Sequence, residues 1–197
     1  MAPPSVDLAP QLAAAVEALA VFGTIDRHAC LIGGLALQRW GQPRFTADAD
    51  LTVLSPFGTE ASLVDALLQR FAARRPDAKE HALRYRVLLL TASNGVSLDI
   101  SLAALPFEEE VLSRASPWRR VGTVPLVTCS AEDLAIYKLV AARGQDLVDV
   151  EGIVRRQGAR LDVARIRHWG RLFADLKEDP DLLRPFEDAL HKPGLTG

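Results

Sequence analysis

Apolar residues recur at helical spacing from about Leu8 to Phe22, a stretch rich in Ala and Leu that reads as an amphipathic helix. The texture then shortens. His28 to Ile32 is a brief apolar run of strand length, and Gly33-Gly34 turns it into a helix that ends near Gly41. Ala47 to Leu54 reads as a second strand, and Thr59 to about Arg74 as a helix. Tyr85 to Ala92 and Val96 to Ala103 are β-rich runs joined by Ser93-Asn94-Gly95, residues that tolerate positive φ, so they predict a hairpin. Val121 to Cys129 is a further strand.

Beyond Ser130 the spacing is helical throughout. Ser130 is placed to cap a helix running to about Arg143, and three more helices read over Asp146 to Gln157, Asp162 to Leu176 and Pro180 to Leu190. The acidic run Glu108 to Glu110, after Pro106-Phe107, reads as a solvated first helical turn favoured by the macrodipole. The expected fold is α+β. A mixed β-sheet with flanking helices occupies residues 1–129, and a C-terminal helical bundle occupies 130–197.

The chain has 197 residues, and 49% of them are hydrophobic, which allows a real core and excludes wholesale disorder. A net charge of −2 gives no global attraction to nucleic acid or acidic membranes, so such a partner must meet a local basic patch. Two clusters qualify: Arg155, Arg156, Arg160, Arg165, Arg167 and Arg171 in the C-terminal half, and Arg114, Arg119 and Arg120 around Trp118. Most charge runs are solvated faces. Cys30 and Cys129 match no metal-ligand spacing and fit a reducing compartment. With no basic leader and no run of spanning length, a cytoplasmic protein is expected.

Strand phase singles out the carboxylates. Asp48 and Asp50 share one face of their strand, while Ala47, Ala49 and Leu51 point into a core. In the hairpin's second strand Val96, Leu98, Ile100 and Leu102 point inward, and Asp99 lies on the opposite face with Ser97 and Ser101. Adjacent carboxylates repel one another unless a cation sits between them, and three of them could hold two hard cations for phosphoryl chemistry. An isolated Asp-x-Asp is also a common turn or cap. The strand–Gly33-Gly34–helix junction adds a backbone that a ligand can approach closely and a helix N-terminus with free N–H groups. No Walker A loop or G-x-G-x-x-G motif is present. Lone histidines at the positions of His28 and His81 read as structural.

Gly33-Gly34-Leu-Ala-Leu followed by Gly41-Gln-Pro-Arg44-Phe-Thr46-Ala-Asp48-Ala-Asp50-Leu resembles the signature of the AbiEii and MenT-type nucleotidyltransferases of the DNA polymerase β superfamily. Val96-Ser-Leu-Asp99-Ile resembles the context of that family's third carboxylate. Glu132-Asp-Leu-Ala-Ile-Tyr-Lys138, then Arg143-Gly-Gln-Asp146-Leu-Val-Asp149, resembles its Lys and Arg-x-x-Asp-x-x-Asp segment. The resemblance implies a catalytic set of Asp48, Asp50, Asp99 and Lys138, with the three aspartates holding two magnesium ions. It also implies that Gly33, Gly34, Arg44, Thr46, Lys138 and Asp146 meet an NTP. Asp146 and Asp149 could instead pair with Arg143 and cap the next helix. Many relatives carry Ser at the position of Gly34; here Thr46 or Arg44 is placed to substitute.

The implied reaction is in-line attack of an acceptor hydroxyl on the α-phosphate of an NTP, with release of pyrophosphate. The resemblance favours the tRNA 3′ end as acceptor, bound through the Arg-rich C-terminal surface, in a toxin with a cognate antitoxin. Two other readings stand beside it. One is a small-molecule enzyme of the aminoglycoside type, which has a similar Arg-x-Thr-x-Asp-x-Asp stretch. The other is a non-catalytic binding or regulatory module of the same fold.

Overall fold

The computed structural model describes residues 9–192, so Leu8, where the hydrophobic pattern starts the first helix, lies outside the described residues. Helix α1 (Pro10–Thr24) opens with a proline in its first turn, where the missing N–H is no loss, and buries Leu12, Ala14, Ala15, Ala18, Leu19 and Phe22. Among the described residues one mixed sheet holds β1 (Ala29–Leu31), β2 (Asp48–Leu54), β3 (Ala72–Ala73), β4 (Val87–Thr91), β5 (Ser97–Ala103), β6 (Ser116–Val121) and β7 (Val124–Thr128). Their order across the sheet is β3-β4-β5-β2-β1-β7-β6. At its centre β2 runs parallel to β5, and β1 runs antiparallel to β2 and parallel to β7.

The two faces of the sheet have different covers. Leu31, Leu51, Val53, Leu98 and Ile100 form one core with α1, α3 (Glu60–Leu68) and α4 (Ala78–Tyr85). The opposite face carries Cys30 and the polar residues of β2 and β5. Over it lie α2 (Gly33–Trp40), α5 (Pro106–Arg114) and the helical half: α6 (Ala131–Ala141), α7 (Gly144–Gln157), α8 (Val163–Lys177) and α9 (Arg184–His191). Alternation along β2 therefore turns Asp48, Asp50 and Thr52 toward the face that the C-terminal helices approach.

Local signals explain most boundaries. Ser130 caps α6 through its hydroxyl, which accepts from the Asp133 amide at 3.1 Å, and Asp162 caps α8 by accepting from the Arg165 amide at 3.0 Å. Helix α2 is tied to α7 at its far end. Arg156 donates to the Gly41 carbonyl at 2.7 Å, and Gln157 donates to the Trp40 carbonyl at 2.6 Å.

Three elements depart from the sequence pattern. The helix expected from Thr59 to Arg74 ends at Leu68, because Ala72 and Ala73 pair with Leu90 and Thr91 of β4. Two alanines prefer helix in isolation, and the sheet edge overrides that preference. Helix α4 is short and mostly polar on its surface. It ends at Arg86, which adopts a left-handed conformation (φ 57°), so β4 begins at Val87 rather than Tyr85. The strand expected over Val121 to Cys129 begins at Val124 as β7, and Val121 ends its hairpin partner β6, whose sequence Ser-Pro-Trp-Arg-Arg-Val has no apolar alternation to announce it. No described helix is long and apolar enough to cross a membrane.

Candidate active site

The parallel register of β2 with β5 sets Asp50 directly opposite Asp99 and Asp48 opposite Ser97. One carboxylate oxygen from each of Asp48, Asp50 and Asp99 lies within 4.8 Å of the others. Three oxygen donors with no sulfur or imidazole among them are the ligand set of a hard divalent cation. Without one they oppose each other. The Asp50 carboxyl is pushed up to about 6, first by burial and then by the charges of Asp48 and Asp99, with Lys138 and the Gly34 amide working the other way. Asp99 is raised as well, by burial first, while Arg74 pulls it down and Asp48 adds to the rise. Arg74, just beyond β3, makes an ion pair with Asp99. Nothing in the sequence pattern around Arg74 marks it, since the expected helix would have placed it elsewhere.

The glycine turn is shaped by what lies against it. Gly33 has φ +59°, and a Cβ there would run into the Asp50 carboxylate, so only glycine lets that side chain sit against the start of α2. A Cβ on Gly34 would lie 2.6 Å from Thr46 Oγ1 and 2.7 Å from Thr46 Cβ. The Thr46 hydroxyl fills that space and donates to Asp48 Oδ1 at 2.8 Å. A hydroxyl is thus present beside the glycine turn, supplied by Thr46 instead of by a serine at position 34. Gly34→Ser is expected to overpack the turn and cost about 1–3 kcal/mol in chemical denaturation. Gly34→Ser combined with Thr46→Ala recovers that stability. If the single variant is as stable as wild type, the two positions do not compete for space.

Lys138 leaves α6 from a packed stripe and is 7% exposed. Its ammonium donates to Asp146 Oδ1 at 2.7 Å and lies 2.9 Å from Asp149 Oδ2. Arg44 completes the cluster with a bidentate pair to Asp149 at 2.8 and 2.9 Å. Burial alone would raise the Asp149 carboxyl, but hydrogen bonds from Arg44, Lys138 and Gln145 outweigh it and hold the group below its ordinary range. Asp146 Oδ2 is buried and has no hydrogen-bond partner. Arg143, one of the two partners the sequence left open for Asp146, lies 4.0 Å from it. Arg44, Lys138, Asp146 and Asp149 therefore form one buried network, and its lysine is close enough to influence Asp50.

The arginines of the C-terminal half are mostly engaged within the chain. Arg155 pairs with Glu151, Arg165 with Asp133 and Glu110, and Arg167 with Glu187. Arg156 and Arg160 donate to backbone carbonyls. Around Trp118 the engagement is mixed. Arg114 meets Glu132 at 3.4 Å, whereas Arg119 lies over the Trp118 ring at 4.3 Å and Arg120 donates to the Thr123 carbonyl. Arg119 and Arg120 on β6 are exposed, as are Arg143 and Arg171 on the helical half.

A strand pair carrying three facing carboxylates, beside a glycine turn at a helix start, has the architecture of a nucleotidyltransferase. The solution structure of the antibiotic-resistance factor ANT(2'')-Ia shares the fold, with a TM-score of 0.55 at 16% identity over 85% of this chain and 95% of that one. An antigenic nucleotidyltransferase-like protein from Paracoccidioides brasiliensis aligns with a TM-score of 0.48 at 13% identity, over 90% of this chain and 92% of its own. No curated protein matches the sequence. The family model described as nucleotidyl transferase AbiEii toxin, type IV toxin–antitoxin system, matches residues 16–195, and the chain belongs to that family.

Proposed function

We propose that this nucleotidyltransferase is magnesium-dependent and moves an NMP from an NTP to the 3′ hydroxyl of tRNA, as the toxin of a pair with a cognate antitoxin. The observation that carries the chemistry is the convergence of Asp48, Asp50 and Asp99 within 4.8 Å. Asp48 and Asp50 would hold two magnesium ions, and Asp99 would complete the one on the acceptor side. When bound, the ions lower the pKa of the acceptor hydroxyl and stabilise the leaving pyrophosphate. The chain does the positioning. Gly33 and Gly34 open the backbone at the start of α2 to a triphosphate. Thr46 orients Asp48, and Asp99 helps remove the proton of the attacking hydroxyl. Lys138, held between Asp146 and Asp149, keeps a positive charge next to Asp50 and supports its ionised form. Arg44 and Asp146 belong to the nucleotide-binding wall through that network. Both cysteines are free and buried, which supports a cytoplasmic location.

Incubation with labelled NTPs, magnesium and total tRNA, with an aminoglycoside panel in parallel, tests this reading. Label is expected in tRNA and to depend on magnesium. Label in the aminoglycosides alone would assign a small-molecule acceptor, and label in neither would leave a binding module.

A further inference from the structure

Phe45 is 79% exposed, an unusual position for a large aromatic ring. Both of its neighbours are anchored. Arg44 is clamped to Asp149, and Thr46 is bonded to Asp48, so the backbone between them is held and the ring is presented outward beside the triad. The ring forms one wall of a cleft of about 130 Å³ that Thr46, Leu35, Gln38, Trp118 and Arg119 also line. Typical small-molecule sites measure roughly 300–1,000 Å³, so this cleft suits one planar ring better than a whole aminoglycoside. Trp118 is half-buried and carries the Arg119 guanidinium over its face, while Arg119 and Arg120 are exposed with no carboxylate partner among the described residues.

We infer that this cleft is a stacking site for a base at the single-stranded 3′ end of an RNA acceptor, with Phe45 and Trp118 as the aromatic faces and Arg119 on a phosphate upstream. The inference rests on the RNA-acceptor reading above and deepens it. Aromatic faces with interleaved cations are the common equipment for single strands. Thr46 lines the cleft and donates to Asp48 of the triad, so a base stacked on Phe45 is one side chain away from the carboxylates. Arg119 lines the cleft and is exposed, so its guanidinium is available to a phosphate of a strand stacked there. Arg165 and Arg167 of the helical half are held in internal ion pairs, whereas Arg119 has no carboxylate partner among the described residues.

The test uses the full chain and a fluorescent RNA hairpin with a single-stranded 3′ end, read by anisotropy, with NTP and Mn²⁺ binding measured on the same samples. Phe45→Ala, at a highly exposed position, is expected to fold normally and weaken RNA binding roughly tenfold, leaving NTP and Mn²⁺ binding unchanged. Phe57→Ala, which alters an exposed ring stacked on Arg86, serves as the control and leaves RNA affinity as in wild type. Arg119→Gln reduces the salt slope of RNA binding by about one. If RNA accepts label but Phe45→Ala binds it like wild type, the cleft assignment falls and the acceptor reading stands. A loss confined to NTP binding assigns the cleft to the incoming nucleotide and overturns the inference. If RNA takes no label, the acceptor reading falls, and the stacking site falls with it.

Discussion

Asp50→Asn is expected to abolish transfer and lower divalent-cation affinity by at least an order of magnitude, while leaving the metal-free protein as stable as wild type or stabler. The reason is electrostatic. Asp50 is pushed up to about 6 in the fold, against an ordinary value near 4, so its ionised form is destabilised where it sits. A folded pKa above the unfolded one means that the penalty is full at pH values above 6 and fades as pH falls through 6 toward 4. The magnitude is on the order of 2 kcal/mol. Denaturation of the metal-free wild type should therefore show a stability gain between pH 7 and pH 5 that Asp50→Asn lacks, and cation binding by the wild type should weaken over the same interval. A marked loss of metal-free stability in Asp50→Asn would mean that the carboxylate is a structural acceptor and not a ligand.

Lys138→Ala should have the largest effect on the fold itself. Removing the ammonium leaves Asp146 and Asp149 buried on α7 with only Arg44 and Gln145 facing the second of them. Breaking a buried pair by deleting one partner costs about 3–5 kcal/mol, because the remaining charge has lost its counter-ion. Urea denaturation of Lys138→Ala checks this directly. Lys138→Met with Asp146→Asn separates structure from chemistry. It should recover much of the stability while transfer stays low, since Asp50 loses the cation that favours its ionised form. Full transfer by a folded double variant would remove Lys138 from the site.

Side-chain phase was the readable part of this molecule. Asp48 and Asp50 on one face, Asp99 on the corresponding face of the hairpin, and the glycine turn before α2 all follow from alternation and from turn chemistry. The rest depended on pairings that leave no local trace. Ala72 and Ala73 look helical and become an edge strand only because β4 is beside them, and that edge is what carries Arg74 to Asp99. The pairing of Arg44 with Asp149 spans 105 residues and could not be read from either neighbourhood. The stretch Leu134 to Ala142 has Lys138 as its one charge, so the sequence marks the lysine but leaves its partner open between a ligand and Asp146 or Asp149.

Arg74 gives the metal-free protein a built-in competitor. The guanidinium that rests on Asp99 is covalently attached, so it is present at a high effective concentration that dilution cannot lower. A cation approaching Asp99 has to displace it, whereas one approaching Asp48 meets no such rival among the described ion pairs. The two sides of the triad are therefore unequal before any ligand arrives, Asp99 being the paired one. On the two-ion reading proposed above, loading would acquire an order, the side shared by Asp48 and Asp50 filling first and the side that Asp99 completes filling last.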